Sequence, residues 1–199
     1  MIKLTNSYFV VIILLLTTSF LSDSEGKPSI NNHFKNKNHV MSISINLYRV
    51  RTAEKLDELA DLQIELDKAN NYKVDLYKLT GDLCMIFNNS TDPYSGTKTI
   101  PYKMIFGHHI EKSIGAREVG GFLPTSEVTK VVEWIMHNKI DTENGFSKVY
   151  DNTSEEVKKE LEDWGSPNKE ELYKLYVKPL VDFYLAALKD KNSIIITGE

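Results

Sequence analysis

The sequence predicts a single-domain α/β sandwich in which helices cover a small mixed β-sheet. Segments with strand composition occur near residue 45, in the middle of the chain and at its end. Between them lie segments whose apolar residues recur every three or four positions, as on one face of a helix. A chain of 199 residues has room for one ordinary domain and a targeting segment. Strands separated by helices favour a sheet that packs beneath helices.

The composition is that of a globular protein, with 41% hydrophobic and 26% charged residues. The formal net charge is −4 and no long block of one sign is present, so we expect no nucleic-acid partner. Cys84 is the single cysteine, which excludes an intramolecular disulfide.

The N-terminus predicts export. Lys3 precedes an apolar core at residues 9–16, and small and polar residues follow, which is the layout of a secretory signal peptide. A permanent membrane span needs about 20 apolar residues, more than this core supplies. We therefore expect a signal peptide at residues 1–24, a flexible spacer at residues 25–40 and a folded domain at residues 41–199. The protein would be periplasmic or secreted; retention of the N-terminal segment as an anchor is the alternative.

One strand and two helices are predicted for the first half of the domain. Apolar and polar side chains alternate over residues 42–47 (SISINL), as in a half-buried strand. Thr52 is placed to cap a helix that carries Leu56, Leu59, Ala60 and Leu66. A second helix is predicted over residues 73–88, with Cys84 on its apolar side and therefore in the core. A loop is expected over residues 88–99.

Two more strands and the clearest helix are predicted next. The strands cover residues 102–106 and 118–123, and the Gly120-Gly121 pair indicates a bulge or a close backbone contact. Thr125 follows a proline and is expected to cap a helix. That helix has one apolar face, formed by Val128, Val131, Val132, Ile135 and Met136.

The last third of the sequence predicts two helices and a C-terminal strand. Thr153 begins a T-x-x-E capping box for a short helix that ends at Trp164. We expect the Trp164 ring to fill a corner between helices; an exposed anchor for a partner is the alternative. A helix over residues 168–189 should bend near Leu175, because Pro179 inside it removes one backbone hydrogen bond. The apolar β-branched run at residues 193–197 indicates a central strand. The long helix is expected to bury Leu172, Leu175, Tyr176, Leu180, Phe183, Tyr184 and Leu188.

Five segments in register resemble the YfbM-like family, a bacterial domain of unknown function, over roughly residues 41–199. They are Tyr48-Arg49-Val50, residues 74–78 (VDLYK), residues 104–107 (MIFG), residues 121–128 (GFLPTSEV) and residues 194–196 (III). The resemblance implies an α/β sandwich, as the pattern does. Because the family has no assigned activity, it supplies no catalytic residue.

Two departures from the family pattern fall in one predicted helix. Thr80 stands near the position where many members have Trp, and Cys84 stands where they have His. Any site that those two residues form in the family would be altered here.

The segment Gly107-His108-His109 is predicted to be a loop that follows a strand, and it is the strongest candidate for a binding surface. With Glu111 it offers two imidazoles and a carboxylate, the ligand types of a zinc site. A zinc site would need a further ligand, such as His137, and the spacing is not that of H-E-x-x-H. We therefore predict that His108, His109 and Glu111 bind a partner or ligand and hold no metal.

Other combinations are weaker candidates for chemistry. Cys84 with His108 or His109 would make a nucleophile and base, but a cysteine among apolar helix residues is typically inert. Asp75, Lys78 and Asp82 are interpreted as a surface row of ion pairs on one helix. No phosphate-binding glycine motif is present, and we expect no cofactor.

Taken together, the residues predict a non-catalytic binding or interaction module that engages a partner protein. The alternatives are a hydrolase-like enzyme that uses the Gly107-His108-His109 segment and a small-ligand binder. The latter would use the aromatic residues Tyr94, Tyr102 and Phe122.

Overall fold

The computed structural model describes residues 44–77, 79–114 and 117–198, and the side chains among them outside residues 111–119. The predicted signal peptide and spacer lie outside the described residues. Export and the domain boundaries therefore stay predictions.

The fold is built on a five-stranded sheet with the strand order β2-β1-β5-β4-β3. The strands are β1 (Ile45–Val50), β2 (Lys73–Asp75), β3 (His108–Ile114), β4 (Arg117–Leu123) and β5 (Ser193–Gly198). The α/β class is confirmed, and β5 is the central strand as predicted. Each of the described pairings is antiparallel, whereas a mixed sheet was expected.

The central strand shows how the sheet divides the core. Ile194 and Ile196 point into the larger of two apolar clusters, and Ile195 points into the smaller one on the opposite face. Successive strand residues alternate between faces, so a strand covered on both sides is apolar at every core position. This is why β5 appears in the sequence as a continuous apolar run.

Helices cover both faces of the sheet. They are α1 (Leu62–Ala69), α2 (Thr80–Asn88), α3 (Ile100–Phe106), α4 (Thr125–His137), α5 (Glu143–Asp151), α6 (Glu155–Trp164), α7 (Lys169–Leu172) and α8 (Lys178–Lys189). Residues of α1 line the smaller cluster, and the larger cluster contains residues from α2 to α8. Short 3-10 turns occupy Leu56–Glu58 and Asn70–Tyr72.

The predicted strand at residues 102–106 is wrong: these residues belong to α3. The Thr99 hydroxyl caps the helix by accepting from the backbone N–H of Tyr102. Pro101 lies in the first turn, where its missing N–H costs nothing. The buried residues of α3 are Pro101, Met104 and Ile105, which have helical spacing. The segment was predicted as a strand because its residue types favour strands.

The predicted helix over residues 73–88 is also wrong in its first half. Its beginning forms the short strand β2, and the Asp75 carboxylate then accepts from the backbone N–H of Tyr77, which has φ 46°. That local turn competes with helix formation, so α2 begins only at Thr80. The expected surface row is therefore absent: Asp75 lies in β2, Asp82 is buried in α2, and Lys78 lies outside the described residues.

The predicted helix after Thr52 is replaced by a 3-10 turn followed by α1. Asp61 caps α1 by accepting from the backbone N–H of Ile64. Thr52 is not a cap, because its hydroxyl donates to the Lys191 carbonyl, a contact distant in sequence.

Two further caps differ from the prediction by one residue. Ser154 caps α6, while the Thr153 hydroxyl donates to the Tyr150 carbonyl. Pro124 occupies the cap position of α4, and Thr125 is its first helical residue. A sequence pattern with several adjacent hydroxyl residues does not determine which of them is the cap.

The C-terminal helix is interrupted, as the proline indicated. A π-helical turn at Tyr173–Val177 separates α7 from α8, and Pro179 lies in the first turn of α8. Leu175, which lies in this turn, is exposed, and this contradicts its predicted burial. Met136, at the end of α4, is exposed as well.

The Gly120-Gly121 prediction is confirmed in both of its forms. The pairing of β4 with β5 shifts register between Val119 and Gly121, which is a bulge. At Gly121 the backbone packs directly against the end of α3, since a Cβ there would lie 1.9 Å from the Phe106 carbonyl oxygen. This contact fixes where α3 meets the sheet.

Candidate functional site

The Gly107-His108-His109 segment is the junction between α3 and β3, which corrects its prediction as a loop after a strand. Gly107 ends α3 with φ 66°, a conformation that favours glycine. A Cβ at Gly107 would also lie 3.0 Å from the Phe122 backbone nitrogen. His108 and His109 begin β3, which is an edge strand, and both are exposed. The prediction failed because a helix takes the place of the strand expected before the segment.

Glu127 of α4 joins His108 to two lysines from other positions in the fold. Lys103 of α3 donates to Glu127 Oε2 at 3.0 Å, and Lys130 donates to Oε1. His108 Nε2 lies 3.7 Å from the same Oε2, within ion-pair range. We call Lys103, His108, Glu127 and Lys130 the Glu127 cluster.

The charge of the Glu127 cluster is positive at its surface. The hydrogen bond from Lys130, with that from Lys103, holds the pKa of the Glu127 carboxyl below its usual range. The Glu127 side chain is 12% exposed, while those of His108 and Lys130 are 47% and 56% exposed. The carboxylate and Lys103 are therefore shielded, and the exposed groups of the cluster are the Lys130 ammonium and the His108 imidazole.

The sequence analysis found His108 but missed Lys103, Glu127 and Lys130. The i, i+3 spacing of Glu127 and Lys130 on a predicted helix was the one signal available. The contact between Lys103 and Glu127 depends on how α3 packs beside α4, and local spacing carries no information about that.

The structure does not gather the predicted site residues around one point. His108 and His109 are consecutive in β3, and successive strand side chains point to opposite faces. The backbone of Glu111 lies in β3, but its side chain is outside the described part. Among the described residues, no three His, Cys, Asp or Glu side chains lie close enough together to hold a metal ion.

Cys84 lies in the larger core cluster and is fully buried, as predicted. Burial raises the pKa of its thiol to about 12. A thiol with that pKa carries almost no thiolate at neutral pH, so Cys84 is not a competent nucleophile.

We expect the native protein to react very slowly with a maleimide at neutral pH and to react fully once unfolded. Cys84→Ser should lower the free energy of unfolding by about 1–3 kcal/mol, because it places a poorly satisfied hydroxyl in the core. Urea unfolding measures the second effect. Rapid stoichiometric labelling of the folded protein would contradict burial.

The three aromatic residues considered for a small-ligand site do not all lie on one face of the sheet. Tyr94 and Tyr102 both pack on Phe106, with ring centroids 5.9 and 4.8 Å from it. Phe122 is buried in the smaller cluster, whereas Phe106 packs against the larger cluster on the other face. The sheet therefore separates Phe122 from the two tyrosines.

Trp164 fills a corner between α2 and α6. A Cβ on Gly81 would lie 3.1 Å from its ring, and its indole N–H donates to Glu160 at 2.7 Å. About half of the side chain stays exposed.

Comparison with known proteins assigns no activity to this chain. No family model matches the chain, and no curated protein matches it. A similar solved structure is that of YfbM, a protein of unknown function from Escherichia coli, with 13% sequence identity and a TM-score of 0.48. The match covers 78% of this chain and 99% of that one. YfbM is also the protein for which the family suggested by the sequence motifs is named.

None of the helices in the described residues is both long enough and apolar enough to cross a membrane.

Proposed function

We propose that this protein is a non-catalytic binding module that engages an acidic segment of a partner protein through the Glu127 cluster. The observation that carries the proposal is the convergence of two lysine ammonium groups, from α3 and α4, and of the His108 imidazole of β3 on one shielded carboxylate. Ion pairs hold the cluster in place before any partner arrives. Complementary charge at such a surface favours encounter with acidic partners and disfavours basic ones.

The geometry supports binding better than catalysis. The ionic neighbour of His108 is a carboxylate already engaged by Lys103 and Lys130, an arrangement that supplies charge but no nucleophile. Cys84, the nucleophile considered in the enzyme alternative, is buried and protonated. The small-ligand alternative loses support because Phe122 is separated from Tyr94 and Tyr102.

We propose, further, that the module acts outside the cytoplasm. The support is Lys3 and the apolar core at residues 9–16, which have the layout of a signal peptide. N-terminal sequencing of the protein from its host should find a first residue between Asp23 and Lys27. Recovery of a chain that begins at Met1 in the cytosolic fraction would contradict export.

The binding surface can be tested by affinity capture with the mature chain and extracts of the host. The His108→Ala/His109→Ala variant should recover its main partner about fivefold less well, because it removes the exposed imidazole of the Glu127 cluster. Its thermal stability should be nearly unchanged. His137→Ala is the matched control, because it removes an exposed histidine at the far end of α4.

Equal recovery by wild type, the double variant and the control would remove the Glu127 cluster from the binding surface. Unfolding of the double variant would show that the two histidines support the fold.

A further inference from the structure

A cleft of about 320 Å³ lies at the outer edge of β1. β2 pairs only with Asn46, Leu47 and Tyr48 of β1, so from Arg49 onward this edge has no strand partner among the described residues. The 3-10 turn Asn70–Tyr72 leads away from the edge into β2. The shortness of β2 therefore leaves an opening, which is lined by the end of α1 and by the residues that follow α8.

Arg49 is held rigidly at this opening. Its guanidinium lies over the Tyr72 ring at 5.0 Å and over the Phe183 ring at 5.9 Å. Nη1 donates to Asp190 at 3.2 Å, and the Arg49 side chain is 13% exposed. These contacts with two rings and a carboxylate restrict the guanidinium, whose planar fork suits a carboxylate or phosphate.

Asp190 does not satisfy this guanidinium. Arg49 Nε is buried and has no hydrogen-bond acceptor among the described residues. A buried donor without an acceptor is unfavourable, and it becomes satisfied when an acceptor binds. The Asp190 side chain is itself about half exposed, so its ion pair with Arg49 is weak enough to be shared with a bound anion.

The remaining lining has the charge and size that suit a small anion. Arg51 and Lys68 add two cations to Arg49, and Glu65 and Asp190 are the carboxylates, so the lining carries one net positive charge (3 − 2). The volume lies at the small end of the range of about 300–1,000 Å³ that ligand pockets occupy. Tyr72, which is largely exposed, supplies an apolar wall.

We propose that this cleft binds a small organic anion, whose carboxylate or phosphate group contacts Arg49 and Arg51 while its body packs against Tyr72. The site lies on elements other than the Glu127 cluster and does not depend on the function proposed for that cluster.

Isothermal titration of the full-length protein at low ionic strength tests the proposal with three probes. These are benzoate, inorganic phosphate and benzamide, the last being a neutral analogue of benzoate. We expect benzoate or phosphate to bind and benzamide to bind at least about tenfold more weakly, because charge-assisted hydrogen bonds are the stronger ones. The preferred anion identifies the ligand group as a carboxylate or a phosphate.

Arg49→Lys keeps the charge but loses the planar fork, so it should weaken anion binding about tenfold. Arg51→Gln, at a more exposed position, should weaken it as well and provides a second variant if Arg49→Lys does not fold. Lys159→Gln, at an exposed lysine of α6 outside both proposed surfaces, is the matched control and should bind like wild type. The proposal is overturned if neither anion binds, if benzamide binds as tightly as benzoate, or if the control and the cleft variants lose affinity equally.

Discussion

Gly121→Ala should destabilise the protein by about 3 kcal/mol or more, the upper end of what overpacking costs. A Cβ at this position would lie 1.9 Å from the Phe106 carbonyl oxygen and 2.9 Å from its carbonyl carbon. Both are backbone atoms at the end of α3, so no side-chain rotation relieves the clash. Either β4 or α3 must move, and each is packed into the core.

The neighbouring Gly120→Ala is the matched control, because a Cβ there meets no atom within 4 Å. Its free energy of unfolding should stay within about 0.5 kcal/mol of wild type, as for an open surface position. Urea unfolding followed by tryptophan fluorescence measures both variants. Equal midpoints for the two would show that α3 does not press on β4 as described.

Phe146→Ala should lower the free energy of unfolding by about 3–5 kcal/mol, the usual cost of truncating a buried aromatic residue. Phe146 is fully buried, and its ring lies 5.9 Å from that of Tyr173 and 6.3 Å from those of Phe87 and Tyr150. These neighbours come from α2, α5 and the π-helical turn. The ring therefore connects α5 to the rest of the larger cluster.

Tyr94→Ala removes a ring of similar size that is 65% exposed and serves as the control. It should lower the free energy of unfolding by about 1 kcal/mol or less, because the ring is largely exposed and the contact it loses, with Phe106, is tilted. If Phe146→Ala lowers the free energy of unfolding no more than Tyr94→Ala does, the position of α5 in the core is contradicted.

The parts of the fold that the sequence predicts correctly are those in which burial dictates residue type. The run Ile194-Ile195-Ile196 is apolar because the sheet is covered on both faces, and this pattern indicates a central strand. The helix α4 buries Val128, Val131, Val132 and Ile135, one complete face at helical spacing. In these segments local pattern and tertiary burial agree.

The secondary-structure predictions that are wrong concern segments in which a few hydrogen bonds decide between helix and strand. The Thr99 cap converts a segment of β-forming residues into α3. The turn at Asp75 separates β2 from α2, although the residues around it have helical spacing. The helix α5 was not predicted at all, because Phe146 is its only large buried side chain. A single large buried side chain does not define a helical periodicity in the sequence.

For the site, the sequence identifies residue types but not their neighbours. Two adjacent exposed histidines are visible as candidates, and His108 does lie in a charged cluster. Its companions come from α3 and α4, and only the packed fold shows that they converge. Arg49 was noted only as part of a strand, because its stacking on Tyr72 and Phe183 depends on residues far along the chain.

The most direct test of the proposed binding surface is an NMR titration of the isotopically labelled mature chain with the partner recovered by affinity capture. The largest amide shift changes should occur at His108, His109, Glu127 and Lys130. They should diminish on addition of salt, which screens charges at an exposed surface. Shift changes that leave these residues unaffected, and that fall instead around Trp164 or the Arg49 cleft, would contradict the assignment of the binding surface to the Glu127 cluster.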